Sequence, residues 1–232
     1  MTPNAPFSTI ATSTLYEKLF TTIQMNTMKK TTSQNSGQSC ICAKRFYVHD
    51  DIYDDFEMAF VEAMAATNAG DPFEAESSFG PMATEQVRRE AHDLVVDARE
   101  KGVTVLTGGE LPDGPGWFYP ATVLTDVTPA MKIYRDECFG PVACLYRVSS
   151  VEEAIERSND SDFGLAASVW TNDDAEVEQL TSALEFGAVF VNGNTASFFG
   201  LPFGGVKDSG YGRELGSFGI REWVNAKTVW RA

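Results

Sequence analysis

Two stretches of this chain, Val142-Ala143-Cys144-Leu145-Tyr146 and Ala188-Val189-Phe190-Val191, are continuous apolar runs. Runs of this kind belong in strands buried on both faces, as in a parallel sheet. Amphipathic helical patterns alternate with them. Ile52, Phe56, Ala59, Phe60, Ala63 and Met64 line one side of a helix predicted from about Asp51 to Ala66. Val87, Ala91, Leu94, Val95 and Ala98 recur at three-to-four spacing in a second, Thr84 to Lys101, which Gly102 stops. Further strands are predicted at 43–49, 103–107, 118–124, 142–148, 166–171 and 188–192, with helices near 151–159 and 175–184. The alternation predicts an α/β fold with a mostly parallel sheet flanked by helices. In it Cys144 is a core thiol packed as a small hydrophobe. Packing is also the favoured role of Cys138, and His49 and His92 read as surface or capping residues.

The chain has 232 residues, 43% of them hydrophobic, enough to bury a sizeable core. Its composition shifts near residue 33. Residues 1–33 are rich in Thr and Ser, contain Pro3 and Pro6, and show a helical period only from Leu15 to Met28. They read as poorly ordered or weakly helical, with the α/β domain occupying 34–226. Net charge is −15, with +2 on residues 1–33 and −17 on the rest. Such a balance disfavours nucleic acid, which needs a basic patch. The clusters Asp50-Asp51, Asp54-Asp55, Glu152-Glu153 and Asp173-Asp174 fit either a surface adapted to high salt or an ordinary acidic protein. There is no run of about 18 apolar residues and no signal-peptide pattern, so neither membrane span nor leader is expected. Four cysteines without a C-x-x-C pair, and two histidines, point to free thiols in a reducing cytoplasm and to no metal site.

The run Asn35-Ser36-Gly37-Gln38-Ser39-Cys40 places a thiol directly after a turn that a glycine permits. A nucleophilic cysteine must be a thiolate, so it needs backbone amides, a helix N-terminus or a cation to bring down a pKa of about 8.5. Lys44 and Arg45 are near in sequence and either add positive potential or point to solvent. If the chain is extended here, Cys42 shares a face with Cys40 and could act as its redox partner through a local disulfide. On spacing alone the pair reads equally well as buried structure.

Three blocks in order carry a resemblance. Asn35 to Cys40 resembles the cysteine motif of the aldehyde dehydrogenase superfamily, Glu137-Cys138-Phe139-Gly140-Pro141 its glutamate-x-phenylalanine-glycine-proline block, and Pro202 to Gly216 its C-terminal signature. Gly70-Asp71-Pro72 and Val191-Asn192 also agree. The resemblance runs from about residue 34 to the C-terminus. It implies a catalytic-domain-like α/β fold in which the Cys40 thiolate adds to a small aldehyde, hydride passes to NAD or NADP, and water releases the acid. It implies Glu137 and Phe139 as cofactor contacts, Ser197 and Phe203 as substrate-lining residues, and the Cys40 backbone N–H as an oxyanion donor.

The family's dinucleotide-binding domain, oxyanion amide and water-activating glutamate precede the cysteine, and residues 1–33 resemble none of them. The expectation is therefore a catalytic portion that lacks the dinucleotide-binding domain. Gly210-x-Gly212-x-x-x-Gly216 has the wrong spacing for a nucleotide fingerprint and reads as a turn under the active site. Ile41 to Phe46 looks most like succinate-semialdehyde dehydrogenases, although Gln34 stands where that group often has an arginine suited to a substrate carboxylate. Residues 227–232 would form an oligomerisation strand, giving a homo-oligomer or association with a full-length homologue. Two other readings stand beside this one, an inactive or partner subunit and a Cys40-dependent esterase.

Overall fold

A computed structural model of the chain describes residues 7–11, 28–30 and 32–232. A seven-stranded sheet forms its centre: β1 (Phe7–Ala11), β2 (Ala43–His49), β3 (Thr104–Thr107), β4 (Thr122–Thr125), β5 (Val142–Val148), β7 (Ala166–Trp170) and β8 (Ala188–Val191). The spatial order is β3-β4-β5-β2-β1-β7-β8. Only the β3–β4 pair is antiparallel. The short strands β6 (Phe163–Gly164) and β9 (Val206–Lys207) form a separate antiparallel pair.

Period-two alternation divides the core. Phe46 and Val48 of β2, Val123 of β4 and Ala143 and Leu145 of β5 face α1 (Asp50–Ala65), where they pack with Phe56, Phe60 and Met64. Tyr47, Leu124, Cys144 and Tyr146 face the other way. They join Ala91, Val95 and Ala98 of α2 (Glu85–Glu100), Ala154 of α3 (Val151–Asn159) and Leu180 of α4 (Asp174–Ala183). Each fully buried large side chain contributes about 1.5–3 kcal/mol of transfer free energy.

Local chemistry sets the helix ends. His49 caps α1, its Nδ1 accepting from the Asp51 N–H at 3.2 Å; Thr84, Ser150 and Asp173 cap α2, α3 and α4. At the end of α2, Gly102 adopts φ +91°, and the Gly102 and Val103 amides donate back to the Arg99 and Ala98 carbonyls, each at 3.0 Å. This is a Schellman closure, and it needs the glycine.

Two expectations change. Residues 7–11 are not a poorly ordered lead but a strand, hydrogen-bonded between β2 and β7 and buried at Ser8, Thr9, Ile10 and Ala11. Ser8 and Thr9 disguised it, because polar residues can occupy a central strand that a hydrophobic pattern misses. The sheet domain thus draws on chain before residue 34, while most of the Leu15 to Met28 period lies outside the described residues. The strand predicted from Phe118 starts only at Thr122, after Pro120, which has no N–H for a ladder. Residues 227–231 are exposed and pair with nothing among the described residues, and the strand expected there is one that would pair with the edge of a second chain.

Cys138 and Cys144 are buried, and burial raises their thiols to about 11 and about 12. An unfolded chain ionises the same groups near about 8.5. Their protonated burial contributes fully below that value, and stability drops as pH rises from there towards the folded values, because the unfolded state releases protons first. The urea midpoint is expected to fall steadily between pH 8 and 10.5, with a shallower slope in Cys144→Ala; an identical slope in the variant would contradict the assignment.

Candidate active site

The segment before Cys40 is a tight left-handed coil. Asn35, Ser36 and Gly37 have φ of 50°, 57° and 73° in succession. For the two L-residues this conformation costs about 1–2 kcal/mol each. Side-chain hydrogen bonds offset it. Asn35 Nδ2 donates to the Gln38 carbonyl and Gln38 Nε2 to the Asn35 carbonyl, both at 3.1 Å. Ser36 Oγ donates to Gly80 O at 2.7 Å, and Gln38 Oε1 accepts from the Ala83 N–H at 2.8 Å.

A turn follows, closed by Cys42 N–H to Ser39 O at 2.9 Å, which puts Cys40 and Ile41 at its tip. This turn replaces the extended path that would have aligned Cys40 with Cys42. The Cys42 thiol is instead buried and donates to Gln34 O at 3.2 Å, while Cys40 is half-buried; both are free thiols.

The Glu137–Pro141 block packs directly on this coil. A Cβ on Gly37 would stand 2.0 Å from Gly140 O and 2.4 Å from Pro141 N, so only glycine allows the contact. Lys44, buried on β2, donates from Nζ to Gly37 O at 2.5 Å and to Gly140 O at 2.7 Å. Lys44 therefore joins the two loops from beneath and does not point to solvent. Arg45 is buried too, with its guanidinium directed to Ser158 O, away from the thiol.

Cys40 opens into a cavity of about 440 Å³ lined by Leu165, Phe203, Tyr211, Arg213, Glu214 and Trp223 among others. The glycines of the C-terminal block are packed turns. A Cβ on Gly187 would meet Gly204 O at 1.7 Å, and Phe203 and Glu214 exchange two backbone hydrogen bonds of 2.7 Å. Gly210 to Gly216 connects β9 to a four-residue helix, α5 (Gly216–Gly219), and no βαβ unit surrounds it.

Electrostatically the thiol is held protonated. Burial raises the Cys40 thiol above the ordinary value; the N–H groups of Cys40 and Ile41 draw it down, and the Glu137 and Glu214 carboxylates push it up. Glu137 and Phe139 are half-buried on the loop beside Cys40. Phe203 lines the cavity, whereas Ser197 is not among its lining residues and is exposed on the loop after β8. Two residues earlier Thr195, buried, donates from Oγ1 to Ile41 O at 3.0 Å and ties that loop to the cysteine turn. No sequence pattern marks a contact between residues 154 positions apart. His92 bonds Tyr119 and lies outside the site. Among the described residues no group of three or more His, Cys, Asp or Glu side chains is placed to hold a metal.

A turn that presents the Cys40 thiol, a glutamate loop locked to it and a glycine-rich block that closes the cavity make up the candidate site. The aldehyde dehydrogenase family model matches residues 21–229. The chain belongs to the aldehyde dehydrogenase family. It is 66% identical over 197 residues to an aldehyde dehydrogenase of Paenarthrobacter nicotinovorans, covering 85% of this chain and 43% of that protein. It is 52% identical to the NADP-dependent succinate-semialdehyde dehydrogenase 1 of Mycobacterium ulcerans (strain Agy99), with the same coverage. Among solved structures, the Streptococcus pyogenes succinic semialdehyde dehydrogenase in complex with NADP+ superposes with a TM-score of 0.91 at 32% identity, over 98% of this chain and 49% of that one. The Staphylococcus aureus betaine aldehyde dehydrogenase in complex with NAD+ gives 0.88 at 29% identity, over 95% and 44%. The chain thus spans somewhat under half the length of the relatives it matches.

Gly37→Ala is expected to lower stability by about 3 kcal/mol or more, from left-handed strain plus the backbone collision. Chemical denaturation of the variant checks this; a loss no larger than that of an exposed Gly114→Ala would contradict the close packing of the two loops.

Proposed function

We propose that the chain carries the catalytic portion of an NAD(P)-dependent aldehyde dehydrogenase acting on a small aldehyde, with succinate semialdehyde the leading substrate. The observation that carries the reading is the Cys40 turn: a half-buried thiol under two backbone N–H groups, opening into a cavity walled by Phe203 and the C-terminal block. The identities to succinate-semialdehyde dehydrogenases support the substrate class.

The thiol first loses its proton. Its sulfur then bonds to the aldehyde carbon as the carbonyl π pair moves to oxygen, and the Cys40 backbone N–H would, by the family resemblance, donate to that oxyanion. Glu137 offers carboxylate acceptors for ribose hydroxyls and Phe139 an apolar ring, a donor set that fits a nicotinamide riboside. A dinucleotide held there would accept the aldehyde hydride. The acyl group left on Cys40 is a thioester, and attack by water releases the acid and regenerates the thiol. Because burial and two carboxylates keep the free thiol protonated, turnover through Cys40 rises with pH through the neutral and alkaline range.

A second reading, association with another copy or with a full-length relative, is supported by the exposed side chains Phe199, Ile220, Trp223, Val229 and Trp230. A Cys40-dependent esterase needs no nucleotide and would hydrolyse activated esters equally well without NAD(P)+.

The test is NAD(P)H formation by the purified chain with a panel of aldehydes, succinate semialdehyde included, at low and molar salt. The expected result is turnover that falls about 10³-fold or more in Cys40→Ala. Absence of NAD(P)H from a folded sample, or turnover undiminished in the variant, would overturn the proposal.

A further inference from the structure

Lys44 stands on β2, four residues after the nucleophile, with only 4% of its surface exposed. Among the described residues it makes no ion pair. Burying an ammonium without a bonded carboxylate is costly, and an apolar side chain would fill the same space without that cost. The two acceptors it does have are informative. Gly37 O, at 2.5 Å, lies three residues before Cys40; Gly140 O, at 2.7 Å, lies three residues after Glu137 and one after Phe139. One cation therefore joins the coil seven residues before it to a loop 96 residues after it.

We infer that Lys44 is a positioning residue for the Cys40 chemistry: its ammonium draws the Gly37 and Gly140 carbonyls to one point and so sets the Ser39–Cys42 turn against the loop bearing Glu137 and Phe139. The inference rests on the reading of Cys40 as nucleophile. Its logic is geometric. Gly37 packs so closely on Gly140 that a Cβ on it would collide with Gly140 O, and two carbonyl oxygens facing the same point repel unless a donor lies between them. Without the ammonium Gly37 O loses its donor and Gly140 O keeps only the Val142 N–H at 2.8 Å, the loops separate, and the Cys40 and Ile41 amides leave the sulfur they now stabilise.

The titratable groups around this junction are few. Cys42, Cys138, Glu137 and Cys144 act on Lys44, and Glu137 and Glu214 act on Cys40, with Tyr211, Arg213 and Glu222 on the cavity wall. The largest influences on the Cys40 thiol are burial, the Cys40 and Ile41 N–H groups and the Glu137 and Glu214 carboxylates, and the neutral donor in Lys44→Gln separates loss of position from loss of charge.

The experiment is alkylation of the native chain by iodoacetamide across pH, read at Cys40 by peptide mass spectrometry; the other three thiols are buried. It needs neither aldehyde nor nucleotide, so it stands even if dehydrogenase turnover is absent. In Lys44→Met the alkylation midpoint is expected to rise by about one pH unit, slowing the reaction about tenfold at pH 8. Val95→Ala, a destabilising change in α2 remote from the thiol, is expected to lower the unfolding midpoint and leave the Cys40 profile unmoved. Should Lys44→Met fail to fold, Lys44→Gln, uncharged but still a donor, is expected to give a smaller rise. A Cys40 midpoint unchanged in the folded Lys variant, or shifted equally by Val95→Ala, would overturn the inference.

Discussion

The close approach of Gly37 to Gly140 and Pro141 is the constraint on which the site depends. It requires a left-handed glycine, a second loop whose carbonyl faces inward, and a donor to neutralise the two oxygens, which Lys44 supplies. Everything else at the site hangs from that junction. The coil from Gln34 to Gly37 leads into the turn that carries Cys40; Ser36 fastens it to Gly80, and Thr195 holds the turn from the far side. Because β2 and β5 are adjacent parallel strands, the segments just before them, Cys40 and Glu137–Pro141, emerge at the same end of the sheet. Topology brings the two loops together, and Gly37 allows them to touch.

The thiol's chemistry follows from the same packing. A junction this dense desolvates Cys40, and desolvation is the largest influence on it, stronger than the two amides that favour the thiolate. The acidic side chains Glu137 and Glu214 reinforce the neutral form. An arrangement of this kind keeps a nucleophile protected as the thiol and exposes its reactivity only when the proton is removed, in contrast to cysteines activated by an adjacent cation. Exposed apolar side chains recur between Phe198 and Trp230, and Tyr211 and Trp223 among them line the cavity. Apolar surface on this scale ordinarily marks a contact with other protein.

Much of the fold was legible because burial on both faces produces unbroken apolar runs. β2, β5 and α3 were predicted with their observed bounds, and α1, α2 and α4 to within a residue at each end. Where polar residues occupy buried strands the signal fails, as at Ser8 and Thr9 of β1. At the site, the motifs single out Cys40 and Phe203, which share the cavity, and Glu137 and Phe139, which sit on the loop packed against the cysteine coil. They could not show that Cys40 and Cys42 lie in a turn and not in an extended chain, nor that Lys44 turns inward. Both depend on contacts with residues about a hundred positions away, and a local pattern does not encode those. Ser197 was carried over from the resemblance alone, and the backbone after Thr195 leads it outward.

The central claim is that the cysteine turn and the glutamate loop form one cooperative unit with the strands that follow them. Amide hydrogen exchange along a urea series tests it most directly, since units that open together lose protection together. The account predicts that peptides spanning 36–46 and 138–148 are both protected in the native state and open at the same urea concentration as β2 and β5. Free exchange at the Cys40 turn while those strands remain protected would contradict it.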